Sequence, residues 1–270
     1  MSAEEYSFPS ADTKRLLSYA RRGVDDYNMI KDGDRIAVGI SGGKDSLALL
    51  CALRGLQRFY PKKFELTAIT LGMGLPDMDF SDVGRYCEYL GVPFRVFPTE
   101  ISRIIFDVRK EQNPCSLCAK MRRGALHNAA KELGCNKVAL GHHFDDVIDT
   151  FMLNLFHEGR IGTFSPVTYL SRTGITVIRP LVYMPEKDIR YFAAKAGLPV
   201  VKSTCPADGN TEREEMKQLL AKLDREHKGL RYRVFGAIQR AGLDGFRETS
   251  RLQGVKAYEE QDCADEKEDV

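Results

Sequence analysis

Arg35-Ile-Ala-Val-Gly-Ile40, followed at once by Ser41-Gly-Gly-Lys-Asp-Ser46, is the stretch on which the fold turns. The first half is a short apolar run that stops at Gly and Ser, and Leu47 to Phe59 follows with helical periodicity. A strand that enters a helix through a glycine loop can aim backbone amides and the helix N-terminus at a phosphate. Ser41, Ser46 and Lys44 add donors and charge to that cradle. A Walker A loop needs Gly five residues before its Gly-Lys and Ser or Thr after it, but Val38 and Asp45 stand there. The G-x-G-x-x-G pattern of dinucleotide folds is absent as well. A plain turn would not require Ser-Gly-Gly-Lys-Asp-Ser.

Outward from this unit, strands alternate with helices. Leu66 to Leu71, Val92 to Phe97, Lys137 to Gly141 and Thr176 to Arg179 read as strands, while Asp82 to Leu90, Asp145 to His157 and Glu186 to Ala196 read as helices. The alternation predicts an α/β fold, a doubly wound and mostly parallel sheet whose ligands bind at the carboxyl ends of the strands. Ala11 to Tyr27 reads as an amphipathic lead-in helix. Thr211 with Glu214 reads as a capping box for a helix from Glu212 toward Glu226. The expected organisation is a lead-in over 1–30, a nucleotide-binding domain over 31–205 with the Cys115 helix inserted, a helical extension over 206–257, and a disordered acidic tail over 258–270.

The chain has 270 residues, 43% of them hydrophobic, with 14 Phe and 11 Tyr, enough for a real core rather than a disordered chain. MSAEEYSFPS at the start has no apolar signal region, and no apolar run approaches the length of a membrane span. Seven Cys, an odd count, favour a reducing cytoplasm and metal-binding or catalytic thiols over disulfides. The net charge of +2 hides an asymmetry, because the last twelve residues hold seven acids and one Lys. Basic residues gather at Lys120-Met-Arg-Arg123 and between Lys222 and Arg240, where a polyanion would be held.

Two further motifs carry chemistry. Gly141-His-His-Phe-Asp-Asp146 ends the fourth predicted strand. Gly141 there would allow close approach of a nucleotide, and Asp145 and Asp146, which open a helix, would either cap it or reach Mg²⁺. His142 and His143 are adjacent, a poor spacing for one ion, and read as polar lining of a pocket. Pro114-Cys115-Ser-Leu-Cys118 starts a helix, so its two thiols face the same way at a positive helix end, which should lower their pKa. No second CxxC and no H-x₃₋₅-H completes a zinc site; Cys205, 87 residues after Cys118, lies in a Ser-Thr-Cys-Pro loop. Cys51, Cys87 and Cys135 read as small core residues, and Cys263 falls in the tail. Three Cys suit an iron-sulfur cluster with one iron left without a protein ligand.

Ser41 to Ser46 resembles the SGGxDS signature of the PP-loop ATP pyrophosphatase superfamily. Adding Pro114 to Cys118 leading into Arg122-Arg123-Gly124, then Leu-Gly-His-His-x-Asp-Asp, Ile178-Arg-Pro-Leu181 and one later Cys, the ordered set resembles the tRNA 2-thiocytidine synthetase family over roughly residues 14 to 225. The resemblance implies cleavage of ATP to AMP and pyrophosphate. ATP would lie against Ser41, Gly42, Gly43, Lys44, Asp45, Ser46, Gly141 and Asp146, with Mg²⁺ at Asp45 and Asp145. It further implies a 4Fe-4S cluster on Cys115, Cys118 and Cys205 that presents sulfur to an adenylated cytidine of the anticodon loop. The implied partners are tRNA and a sulfur donor, either a cysteine desulfurase or inorganic sulfide; a homodimer stays open. The sequence around Cys205 departs from the Cys-Asn-Leu-Cys-Gly often found there, which touches the choice of base. A PP-loop ligase with an amine nucleophile and a cluster-bearing redox sensor are the rival readings.

Overall fold

The structure is a computed structural model that describes residues 10–74, 78–109, 114–202, 204–205 and 212–249. The tail from 258, its Cys263 and the capping residue Thr211 lie outside the described residues. Along the chain the strands are β1 (Asp34–Gly39), β2 (Phe64–Gly72), β3 (Phe94–Pro98), β4 (Lys137–Ala139), β5 (Val167–Leu170) and β6 (Ile175–Ile178). They form one sheet in the order β3-β2-β1-β4-β6-β5. Every pairing is parallel except that of β5 with β6. Strand order reverses between β1 and β4, where Val38 pairs with Ala139, so the loops leaving these two strands open side by side at the carboxyl edge.

The helices are α1 (Ser10–Asp26), α2 (Lys44–Leu56), α3 (Ser81–Leu90), α4 (Ile101–Arg103, continuing as a π turn to Val108), α5 (Pro114–Glu132), α6 (Phe144–His157), α7 (Glu186–Lys195), α8 (Glu212–Glu226) and α9 (Leu230–Arg240). The two faces of the sheet carry separate cores. On one face α5 lays Ala129 and Ala130 over Ala37, Ile69 and Val138. On the other, α1 contributes Leu16, Ala20 and Val24, an i, i+4, i+8 stripe. There it shares a single core with α2, α7 and Met216, Leu220 and Phe235 of α8 and α9. β1 reads as continuously apolar because helices cover it on both sides. At the start of β4, Lys137 is buried and pairs with Asp34 at 2.7 Å while donating to the carbonyl of Met29 at 2.7 Å.

The strand at Thr176 has a partner that the sequence reading lacked: β5 returns through a turn in which Gly174 takes φ +73° and donates to the carbonyl of Leu170. Helix α9 falls inside the helical extension expected over 206–257, though its own bounds had no sequence signal, and α8 spans the expected Glu212 to Glu226. Among the described residues no helix is long and apolar enough to cross a membrane.

Candidate nucleotide and thiol site

The loop between β1 and α2 is stitched by its own serines. The Ser41 amide donates to Ser46 Oγ (3.2 Å), Ser46 Oγ donates to the carbonyl of Gly43 (2.9 Å), and the Gly43 amide donates to Ser41 Oγ (3.2 Å). Gly42 adopts φ +84°, a region that side chains rarely enter. No side chain caps α2, so its first amides stay open to an anion. An open cleft of about 580 Å³ lies along the loop, lined by Gly43, Lys44 and Asp45 and by Arg190, Gly197 and Val200 from α7 and the segment after it.

Lys44 reaches across this cleft. Its Nζ is 2.8 Å from Glu186 at the start of α7 and 3.2 Å from Asp45. Burial acts to lower the Lys44 pKa, but the two carboxylates outweigh it and raise that pKa. Burial likewise opposes ionisation of Glu186, yet Lys44, with Lys217 and His143 adding to it, brings that carboxyl down to about 2. Glu186 escaped the sequence reading because it lies 142 positions from Lys44 and looks like any acidic residue in a first helical turn.

At the end of β4 the geometry differs from expectation in one respect. A Cβ on Gly141 would meet the backbone carbonyl of Asp45 at 2.9 Å and the amide of Ser46 at 3.0 Å. The glycine therefore seats one loop on the other, and the close approach is to the phosphate loop's backbone. The carboxylates that follow are largely occupied. Asp145 accepts from the Glu186 amide (2.7 Å) and from Arg231 Nη1 (2.9 Å), and Arg231 also reaches Asp149 (3.2 Å). Asp146 accepts from the His143 amide (3.0 Å) and from Arg213 Nη1 (3.2 Å). Both arginines come from α8 and α9. Asp45 is the exception: its Oδ1 is buried, accepts no hydrogen bond, and stands 3.7 Å from His143 Nε2.

Cys115 is exposed, and Cys118 and Cys205 are half-buried. The Cys118 pKa is raised, above all by burial; the charge of Arg122 and its hydrogen bond oppose this, and the proximity of Cys205 and Cys115 adds to the rise. For Cys118 this corrects the expectation that the helix end would lower the pKa, because desolvation dominates. Cys51, Cys87 and Cys135 are buried in the core. Leading to Cys205, Val201 donates from its amide to the carbonyl of Gly42 at 3.0 Å, which anchors that segment to the phosphate loop. Among the described residues, no three His, Cys, Asp or Glu side chains converge tightly enough to hold a single metal ion.

Comparison with known proteins agrees with this architecture. A PP-loop domain model matches residues 15–224. The chain is 40% identical over 228 residues to a tRNA-cytidine(32) 2-sulfurtransferase of Geobacter sulfurreducens, covering 83% of this chain and 89% of the relative. To the protein of that name from Pelobacter propionicus it is 42% identical, covering 83% and 85%. The U34-tRNA thiolase NcsA from Methanococcus maripaludis, solved with its 4Fe-4S cluster, superimposes with a TM-score of 0.70 at 25% identity, over 85% of this chain and 79% of that one. With the strand order and the phosphate loop on the page, the chain belongs to the PP-loop family and, within it, to the tRNA-cytidine(32) 2-sulfurtransferases.

Proposed function

We propose that this chain is an ATP-dependent tRNA sulfurtransferase that replaces the 2-carbonyl oxygen of an anticodon-loop cytidine with sulfur. The observation that carries the reading is the tie between the two half-sites. The Val201 amide bonds Gly42 of the phosphate loop, and four residues later the same segment supplies Cys205, which acts on the Cys118 thiol.

In the first half-reaction the open amides of α2 and the Lys44 ammonium hold the phosphates of ATP, with Ser41 and Ser46 keeping the loop in shape. The carbonyl oxygen of the base attacks the α-phosphorus and pyrophosphate leaves. Adenylation turns that oxygen into a good leaving group. Sulfur then bonds to the base carbon and AMP departs, taking the oxygen with it. The unpartnered buried oxygen of Asp45 suits a Mg²⁺ whose other ligands come from phosphate and water, whereas Asp145 must first be released by Arg231. Cys115, Cys118 and Cys205 suit a 4Fe-4S cluster by their chemistry: the Cys118 thiol, raised in pKa by burial and further by the other two, would be relieved by a cationic iron centre. Bound there, such a cluster would supply sulfur at an iron without a protein ligand. The sulfur source is a cysteine desulfurase or inorganic sulfide, the cytoplasm is the compartment that a tRNA substrate suits, and a homodimer is compatible with the chemistry. Gly141 serves the nucleotide loop by seating on its backbone, and Asp146 stands next to it, held by the His143 amide and Arg213.

The test is nucleoside mass spectrometry of tRNA from cells with and without the protein, joined to product analysis in vitro. Loss of one thiolated cytidine and tRNA-dependent release of AMP are expected. Release of ADP, or an unchanged set of thiolated nucleosides, overturns the reading.

A further inference from the structure

His142 stands between the two half-sites. Gly141 before it packs against Asp45 and Ser46, and His143 after it lies beside Asp45 and Asp146. On its other flank is Arg179, just past the carboxyl end of the adjacent strand β6, and Arg179 in turn feels Arg123, five residues beyond Cys118 on α5.

The hydrogen bond between these two side chains fixes the proton on the ring. Arg179 Nε lies 3.3 Å from His142 Nδ1. A guanidinium has donors and no acceptor, so the nitrogen facing it must carry the lone pair, whichever way a histidine proton is usually assigned. The remaining ring proton therefore sits on Nε2. Arg179 is itself held: its Nη1 donates to the carbonyl of Ser165 at 2.6 Å, and its Cζ lies 4.9 Å from the centroid of the Phe164 ring. The same Phe164 ring packs on His142 at 4.8 Å. Burial, with the arginine's charge, brings the His142 pKa down to about 4, although Asp146 opposes this, so the ring is neutral at physiological pH. Burial with Arg123 lowers Arg179 only to about 10, which leaves it a cation. Among the described residues no group accepts from His142 Nε2.

We infer that His142 is a catalytic residue, a fixed neutral Nε2–H donor to the oxygen transferred between the base and the α-phosphate, and that Arg179 is the positioning residue that sets its tautomer. The inference rests on the thiolase reading and adds to it a donor aimed where negative charge develops as that oxygen leaves its carbon. No proton need be transferred: the hydrogen bond stabilises the departing AMP oxygen and returns with the ring unchanged.

The test uses the full-length protein with ¹⁵N-labelled histidine, of which the chain has five; a His142→Gln spectrum gives the assignment. Long-range ¹⁵N–¹H spectra should show His142 protonated at Nε2 and bare at Nδ1 from pH 6 to 8. Arg179→Met should abolish that fixed pattern and lower kcat for tRNA-dependent AMP formation without changing KM for ATP, and Arg179→Lys, which still only donates, should restore part of both. His142→Phe should lower kcat by about 10²- to 10³-fold, the range for loss of one oxyanion donor. His142→Gln keeps an N–H near the Nε2 place and should recover most of the rate. An Nδ1–H tautomer in the wild type, or full kcat in His142→Phe, overturns the inference. The tautomer is read without ATP or tRNA. A wild type that makes no AMP with tRNA while showing the Nε2–H ring overturns instead the thiolase reading beneath it.

Discussion

Replacing Glu186 by Gln keeps the shape of the side chain and removes the charge that holds Lys44 across the cleft. The pair is 2.8 Å long with its two side chains 20–25% exposed, so water screens it only in part. A carboxyl that ionises near 4.5 in the unfolded chain and at about 2 in the folded one contributes roughly 3 kcal/mol at neutral pH. Because the folded pKa is the lower one, the contribution is complete above about 4.5 and is lost as pH falls through 2. By pH 3 less than half of it, roughly 1.4 kcal/mol, is left. Glu186→Gln should therefore unfold roughly 2–3 kcal/mol more easily than wild type at pH 7, and the gap should close steadily between pH 5 and pH 3. Urea titrations of both proteins at pH 7, 5 and 3, with the slope on urea required to match, measure this directly. A gap of the same size at pH 3 as at pH 7 would refute the reasoning, since it would mean that Gln disturbs packing and that the charge contributes nothing.

The other perturbations separate the parts of the site. Cys115→Ala, Cys118→Ala and Cys205→Ala should each remove bound iron and thiolation, measured by anaerobic iron analysis, and Cys263→Ala should remove neither. Lys44→Ala or Asp45→Ala should block formation of AMP and pyrophosphate, with the iron absorption spectrum kept as the control. The double variant Arg122→Ala, Arg123→Ala takes two exposed cations from α5 and should flatten the dependence of tRNA affinity on salt, each lost phosphate contact lowering the logarithmic slope by roughly 0.7–0.9. An unchanged slope would move the RNA surface to the basic side chains of α8 and α9.

What could be read from sequence alone follows the range of the interactions. The unit β1, phosphate loop and α2 is local: apolar run, glycines and helical periodicity are contiguous, and its boundaries fell within a few residues. The same holds for α1 and α8, whose buried stripes repeat every three or four residues. Strand β5 was missed because it is short and half-exposed at the sheet edge, although Thr173-Gly174 between two β-rich runs was a usable turn signal. Within the site, residue types that chemistry singles out were legible, and their partners were not. Arg231 meets Asp145 across 86 positions and Arg213 meets Asp146 across 67, distances at which no periodicity connects them.

Those two arginines also change how the C-terminal helices are understood. As a stretch of basic residues between Lys222 and Arg240, they looked like one surface for a polyanion. In the fold the stretch divides: Arg225, Lys228, Arg233 and Arg240 stay exposed, while Arg231 turns inward to carboxylates at the head of α6. Asp149 is fully buried with one oxygen unpartnered, and burial raises its pKa despite Arg231. Without the guanidinium, Asp145 and Asp149 would face each other at a helix start with no cation between them. The helices α8 and α9 thus do two things at once. Met216, Leu220 and Phe235 extend the core that supports the sheet, and Arg213 and Arg231 hold the charges of the α6 N-terminus in place beside the phosphate loop. The nucleotide end of the site is therefore completed by residues that lie beyond Cys205 in the sequence, so truncating the chain after the last strand-and-helix repeat would remove part of the site along with its support.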